Sequence, residues 1–163
     1  MSIRKLFITL VALSALFACE KYKEGPNISL KSEEARLARK WQVQTAHYSL
    51  FSDNPTAGDD QTYIWQNLKI EIKKDKSYSL ENFNIALTEK TIETGTWEFT
   101  EDLLMLKTSG TAKRYNVETD NLLSEGGKNS TWRITRLTKK DWWVWYQNQV
   151  DPPWVYFKMK AFK

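Results

Sequence analysis

Few residues of this chain have side chains suited to covalent chemistry. The sequence contains one cysteine, Cys19, and one histidine, His47, so a Ser-His-Asp triad would depend on His47. His47 lies in a predicted strand that begins at Trp41, where alternation with apolar residues is typical of a structural histidine that holds a hydrogen bond. The chain has no phosphate-binding glycine motif, and nothing in the sequence sets the separation of carboxylate pairs such as Glu98 and Glu101. We therefore expect no enzymatic activity and no catalytic residue.

Metal coordination is equally poorly supported. A single histidine, together with a cysteine that ends an apolar run, excludes a zinc site of the usual kind. The spacing of the nearest group of oxygen ligands matches no EF-hand loop and includes Pro55, which favours a solvated loop. That group consists of Asp53, Asn54, Asp59 and Asp60. We predict no metal site and no cofactor.

Aromatic side chains remain as candidates for binding, since the chain has eight Trp, seven Tyr and seven Phe. Residues 142–146 are consecutive in a predicted strand and must point to both of its faces. Trp143 and Trp145 lie on one face, and Trp142, Val144 and Tyr146 lie on the other. One set is core or barrel lining, and the other lies under a loop, at an interface or in solvent. Such rings either fill an interior or form a surface for an apolar or sugar ligand.

The N-terminus has the layout of a secretory signal. Arg4 and Lys5 precede an apolar run of 13 residues, Leu6–Ala18, which is shorter than the about 20 residues of a transmembrane helix. The run ends in Leu16-Phe17-Ala18-Cys19, which resembles the lipobox of bacterial lipoproteins, although Phe17 stands where a small residue is usual. The resemblance implies that Cys19 becomes the first mature residue and carries lipid. We predict a signal peptide over 1–18, a lipidated cysteine with a flexible tether over 19–29, and a folded domain over 30–163.

Charge excludes a nucleic-acid partner. Removal of residues 1–18 takes away Arg4 and Lys5 and lowers the formal net charge from +4 to +2. A surface of mixed sign and small net charge does not supply the concentrated basic stripe that nucleic acids require.

After a short helix that Ser32 caps, the hydrophobic period becomes two residues. Short turns connect most of the resulting strands, so neighbours in sequence should pair antiparallel. A sheet of eight or nine strands removes its exposed edges by closing, and we predict an all-β, up-and-down antiparallel barrel of 8 to 9 strands with a short N-terminal helix. A two-sheet sandwich is the alternative. The predicted strands are 41–50, 63–73, 77–83, 91–99, 103–108, 112–118, 131–138, 142–148 and 154–162, with loops over 52–61 and 119–130.

Several segments resemble the lipocalin-like domains of small Gram-negative lipoproteins. Residues 37–41 combine a helix end with Trp41, although Arg39 replaces the glycine of the family's Gly-x-Trp. Residues 93–99, which contain Gly95 and Trp97, and the following run 103–106 are similar to the mid-barrel hairpin of these domains. The same succession of short strands and turns continues through residues 132–138, 142–145 and 157–160, so the resemblance covers about residues 33–162.

The resemblance implies a lipid-anchored protein of the outer membrane, on its periplasmic face or at the cell surface, with a cup for a small apolar or amphipathic ligand. Trp41 is predicted to close the far end of the barrel. The predicted ligand-lining residues are Trp97, Trp143, Trp145 and Tyr156. A filled barrel acting as an envelope interaction module and a carbohydrate-binding module are the alternatives.

Overall fold

The computed structural model describes residues 32–49, 58–100, 102–148 and 154–163. The predicted signal peptide, Cys19 and the tether lie outside these residues. The first element is helix α1, Glu33–Leu37, and the Ser32 hydroxyl accepts a hydrogen bond from the Ala35 N–H at its start. The buried Arg36 guanidinium donates to the Leu137 carbonyl at 3.0 Å, which fixes α1 against the end of the barrel.

Nine strands and a second short helix follow α1. The strands are β1 Lys40–Ser49, β2 Asp59–Asp60, β3 Lys69–Ile72, β4 Ser77–Phe83, β5 Glu89–Phe99, β6 Met105–Asn116, β7 Leu122–Leu137, β8 Asp141–Asn148 and β9 Trp154–Phe162. Helix α2, Thr62–Trp65, lies between β2 and β3.

The sheet is a closed antiparallel barrel of eight strands with β2 as an extra strand. Strands β3 to β9 pair in sequence order, and β1 pairs with both β3 and β9. Closure leaves β2 as a short addition at the end of β1, where Asp60 pairs with His47. The predicted fold class and the N-terminal helix are therefore confirmed.

One long strand, β6, replaces the two strands predicted at 103–108 and 112–118. The prediction treated Gly110 as part of a turn, but Gly110 lies opposite Gly95 in the β5–β6 ladder. A Cβ atom at Gly95 would stand 2.1 Å from the Ser109 carbonyl oxygen. These glycines therefore permit a close approach of two backbones in an extended ladder.

Two other boundaries also differ from the prediction. The expected loop at 119–130 is largely the start of β7, and residues 122–127 are exposed, so this half of the strand lacks the alternation that marks one buried face. The expected strand at 63–73 contains α2 and only four residues of strand β3.

The barrel has two ends that differ in structure. The α1 end carries the turns after β3, β5 and β7, and the α2 end carries the turns after β4 and β6. Trp41 lies beneath α1, is 0% exposed, and donates its indole N–H to the Leu37 carbonyl at 2.8 Å. Its ring contacts Trp142 at 5.7 Å, and Trp142 contacts Trp132 at 5.6 Å. Indoles packed at tilted angles thus occupy the part of the interior nearest α1.

Candidate functional site

The interior is not filled at the α2 end. A cavity of about 200 Å³ lies there among inward-facing side chains. Its described lining is mostly apolar and aromatic, with three polar side chains: Trp65, Leu68, Leu80, Asn82, Thr91, Lys128, Trp132, Tyr146 and Phe157. A cavity lined by aromatic and aliphatic side chains together with a few convergent polar groups has the composition of a small-molecule site.

The register of the sheet explains why the polar groups converge. Asn82 on β4 pairs with Thr91 on β5, so their side chains stand side by side on the inner face. On the next strand, β6 presents Gly110 and Ala112 to the interior. Lys128 on β7 pairs with Gly110, and with no side chain at that position it extends across β6 towards β5.

Glu93 is the residue that Lys128 reaches. The Glu93 side chain is 1% exposed, and its Oε2 lies 3.4 Å from Lys128 Nζ. The Tyr78 hydroxyl donates a hydrogen bond to Glu93 Oε1 at 2.5 Å. A buried carboxylate is tolerated here because a cation and a hydroxyl donor both face it.

The two partners of Glu93 both have raised pKa values. Burial is the largest cause for Tyr78, and the hydrogen bond to Glu93 and the charge of Glu93 raise its pKa further. Burial by itself would lower the pKa of Lys128, but the neighbouring Tyr146 and Glu93 outweigh that effect, and the pKa is raised. Lys128 is therefore a cation and Tyr78 a neutral hydrogen-bond donor at neutral pH.

One acceptor atom of the cavity lining remains without a hydrogen bond. Asn82 Oδ1 is buried and accepts none from the part of the chain that the structure describes. Glu93 Oε2, by contrast, is paired with the Lys128 ammonium. Buried acceptors are normally satisfied, so Asn82 marks the polar end of the cavity as a place for a donor.

Helix α2 completes the cavity on the side opposite this acceptor. The Thr62 hydroxyl accepts a hydrogen bond from the Ala46 N–H at 3.0 Å and so fixes α2 to β1. From this helix the Trp65 ring meets Phe157 edge to face, with centroids 5.3 Å apart.

The predicted residue Trp97 lies in the core, but away from this cavity. It packs edge to face against Phe99 at 5.6 Å and donates its indole N–H to the Lys73 carbonyl at 3.0 Å. Lys73 follows β3 at the α1 end, so the expectation that Trp97 lines an interior cavity is corrected.

The expectation that Trp143, Trp145 and Tyr156 line the interior is wrong. Trp142, Val144 and Tyr146 take the inner face of β8, and Phe157 and Met159 take the inner face of β9. Side chains alternate along a strand, so the three predicted residues point away from the interior, and Trp145 and Tyr156 are nevertheless buried, at 2% and 1% exposed. There Trp145 and Tyr156 contact each other at 4.8 Å, and Lys158 Nζ lies 4.6 Å from the Trp143 ring centroid.

Trp41 is buried at the α1 end beneath the helix. His47 is part of an outward-facing row on β9, β1 and β2, between Tyr156 and Asp60.

Within the described ranges, no group of three or more His, Cys, Asp or Glu side chains is arranged to hold a metal ion. Asp53, Asn54 and Glu101 lie outside those ranges.

Sequence reasoning did not identify the residues that line the cavity. In the sequence, nothing distinguishes Asn82, Lys128 and Trp132 from the outward residues with which they alternate. A lysine in a strand gives no indication that it points inward. One signal was present in β9, because Tyr156 has the same parity as Lys158 and Lys160. That parity indicates the polar, outer face of the strand.

A larger concavity of about 700 Å³ lies on the outer face of β5, β6 and β7. Its lining includes the outward side chains of neighbouring strands, which are all polar: Thr96, Glu98, Lys107, Ser109, Asn129 and Thr131. Trp97 borders it together with Lys76, whose Nζ lies 4.2 Å from the indole centroid.

No protein-family model matches the chain, and a search of curated proteins finds no match. Across the described residues, no helix has the length and apolar character needed to span a membrane.

Proposed function

We propose that this barrel binds one small, largely apolar ligand in the cavity at its α2 end. The observation that carries the proposal is a cavity of about 200 Å³ lined in part by Trp132, Tyr146 and Phe157, in a barrel whose other half contains packed indoles. A barrel of about eight strands has room for a packed interior or for one small ligand. Here the two arrangements occupy opposite halves.

The cavity volume limits the ligand. A cavity of about 150 Å³ lined by apolar side chains accommodates benzene. The space of about 200 Å³ therefore fits a ligand of one ring or two fused rings, or a short branched chain. A sterol or a long fatty acid exceeds this space, which narrows the class of ligand relative to the expectation from the sequence.

A cavity-filling substitution tests this proposal. In Leu80→Trp, the indole would occupy the cavity that Leu80 lines, and we expect calorimetric titration with toluene or p-cresol to show no binding. The matched control is Leu123→Trp, because Leu123 is 46% exposed on β7, and this variant should bind like the wild type. The proposal fails if the wild-type protein binds neither probe, or if Leu80→Trp binds them unchanged.

We also propose that the protein is a lipoprotein of the Gram-negative outer membrane, anchored through lipid on Cys19. Support comes from Arg4 and Lys5, the apolar run and the resemblance of residues 16–19 to a lipobox. In Cys19→Ala, we expect loss of lipid attachment and accumulation of the unprocessed precursor. Cell fractionation with mass measurement of the mature N-terminus checks this, and unchanged processing with unchanged membrane retention would contradict it.

The outer concavity supports a second candidate function, binding of a carbohydrate. Hydroxyl, amide and charged side chains such as Ser109, Asn129 and Glu98 line it, and these groups hydrogen-bond sugar hydroxyls. Titration with neutral oligosaccharides distinguishes the two functions. Binding that survives Leu80→Trp and is lost in Asn129→Ala would favour the carbohydrate site.

A further inference from the structure

The polar end of the interior cavity restricts the charge of its ligand. Lys128 Nζ and Glu93 Oε2 lie 3.4 Å apart and neutralise each other. Lys128 lines the cavity and Glu93 does not, so an anionic ligand would compete with Glu93 for Lys128, and a cationic ligand would meet the Lys128 ammonium. Because charges interact strongly in a desolvated site, the balanced pair disfavours both.

The hydrogen-bonding capacity of the same end is not balanced. Asn82 Oδ1, on a side chain that lines the cavity, is a buried acceptor without a hydrogen bond from the described residues, whereas the Glu93 carboxylate is already held by Lys128 and Tyr78. An apolar ligand would leave Asn82 Oδ1 unpaired. A ligand that donates a hydrogen bond would satisfy it and would be preferred over the same ligand without a donor.

The other walls of the cavity favour a ring. Trp132 and Tyr146 lie 4.3 Å apart, and Phe157 stands 5.9 Å from Tyr146, so three aromatic side chains lie next to the same space. Aromatic rings pack in tilted and edge-to-face arrangements at such distances.

We propose that the ligand is an uncharged ring compound with one hydroxyl or N–H donor, of the phenol or indole class, whose donor faces Asn82. This inference rests on the proposed function, since it assigns the ligand class of the same cavity. The ring lies against Trp132, Tyr146 and Phe157, and the donor lies at the β4–β5 wall. Lys128 balances the charge of Glu93 and so keeps the site selective for neutral ligands.

The test compares probes of equal shape that differ in one group: toluene, p-cresol, p-toluate and p-methylbenzylammonium. We expect p-cresol to bind at least about tenfold more tightly than toluene in calorimetric titration, and both ions to bind more weakly than p-cresol.

In Asn82→Leu, the preference for p-cresol over toluene should fall severalfold while toluene binding remains. Asn121→Leu, the same substitution in the exposed turn after β6, should keep the wild-type preference.

Thr91→Val gives a second variant, because Thr91 is the neighbour of Asn82 at the polar end and the substitution keeps the size of the side chain. It should weaken p-cresol binding more than toluene binding. Equal affinities for toluene and p-cresol, or tighter binding of either ion, would overturn the assignment of the ligand class while leaving small-ligand binding intact. If no probe binds the wild type, the proposed function fails and this inference fails with it.

Discussion

Glu93 is a carboxylate inside a β-barrel, and its neighbours determine what that costs. Burial of an unpaired charge is strongly unfavourable, and Glu93 is held by the Lys128 ammonium and the Tyr78 hydroxyl. Tyr78 is itself 3% exposed, so its hydroxyl is removed from water along with the carboxylate. The free energy of this cluster therefore depends on the protonation states of its members.

The Tyr78 hydroxyl gives a pH dependence whose sign follows from its raised pKa. The folded protein favours the protonated phenol, so this contribution to stability is present below the ordinary pKa of 10.0 and is lost as pH rises above it. We expect the wild-type free energy of unfolding to fall between about pH 10 and 11.5, and Tyr78→Phe to fall less over that interval. The raised pKa of Lys128 acts in the same direction in both proteins.

Urea denaturation at a series of pH values checks this prediction. At neutral pH, Tyr78→Phe should lose about 1.5–3 kcal/mol, because a hydrogen bond to a charged group is removed. Tyr63→Phe is the matched control, since Tyr63 is 55% exposed on α2, and this variant should follow the wild-type curve. Parallel curves for the wild type and Tyr78→Phe would contradict the role of the phenol.

At the scale of elements, the β5–β6 ladder depends on two glycines. In Gly95→Ala, the added methyl group would meet the Ser109 carbonyl oxygen at 2.1 Å and Gly110 Cα at 2.5 Å, so the two strands must separate. We expect a loss of stability of about 3 kcal/mol or more. Gly127→Ala on β7 is the control, because a Cβ there meets nothing within 4 Å, and it should be neutral or stabilising by up to about 1 kcal/mol. Thermal and urea denaturation measure both, and equal effects would contradict this reason for Gly95.

The same glycine shows what sequence patterns can and cannot predict for an element. Alternation predicted β4 and β9 nearly to the residue, because each has one apolar inner face, and the run of aromatic residues predicted β8 equally well. Alternation divided β6 at Gly110, since a glycine between polar residues looks the same in a turn and in a close backbone approach. Only the cross-strand partner, here Gly95, distinguishes the two.

The direction of the aromatic side chains in β8 could not be predicted from that strand alone. Both of its faces are apolar, so the choice depends on the partners on β7 and β9. Arg136 and Lys158 pair with Trp143 and place it on the outer face, while Leu137 and Met159 pair with Trp142 on the inner face. A β-bulge between Ile134 and Arg136 shifts this register, and the sequence gives no clear sign of it.

At the scale of the whole molecule, a column of indoles connects the helix-covered end to the interior cavity. Trp41 and Trp142 are both 0% exposed and touch each other, but they differ in hydrogen bonding. The Trp41 N–H donates to the Leu37 carbonyl, whereas the buried Trp142 N–H has no acceptor among the described residues.

This difference predicts unequal costs for the same substitution. Trp41→Phe removes a hydrogen bond and leaves the Leu37 carbonyl unpaired, while Trp142→Phe removes a donor that is already unpaired. We expect Trp41→Phe to cost about 1–2 kcal/mol more than Trp142→Phe in urea denaturation. Each variant serves as the control for the other, since both lose similar aromatic area in the same column. A larger cost for Trp142→Phe would show that packing, and not the N–H, decides the difference.

The seam between β1 and β9 has a consequence for the order in which the chain folds. It pairs Lys40 with Phe162, so the two strands that close the barrel stand at opposite ends of the domain sequence. Contacts between such distant segments carry a large loop-closure entropy and are associated with slow folding. Short turns join strands β4 to β8, so these strands can assemble while the C-terminal strand is still being synthesised. Until β9 arrives, β1 and β8 present unpaired edges, so closure of this seam is the step at which the folding chain is most open to association with other chains.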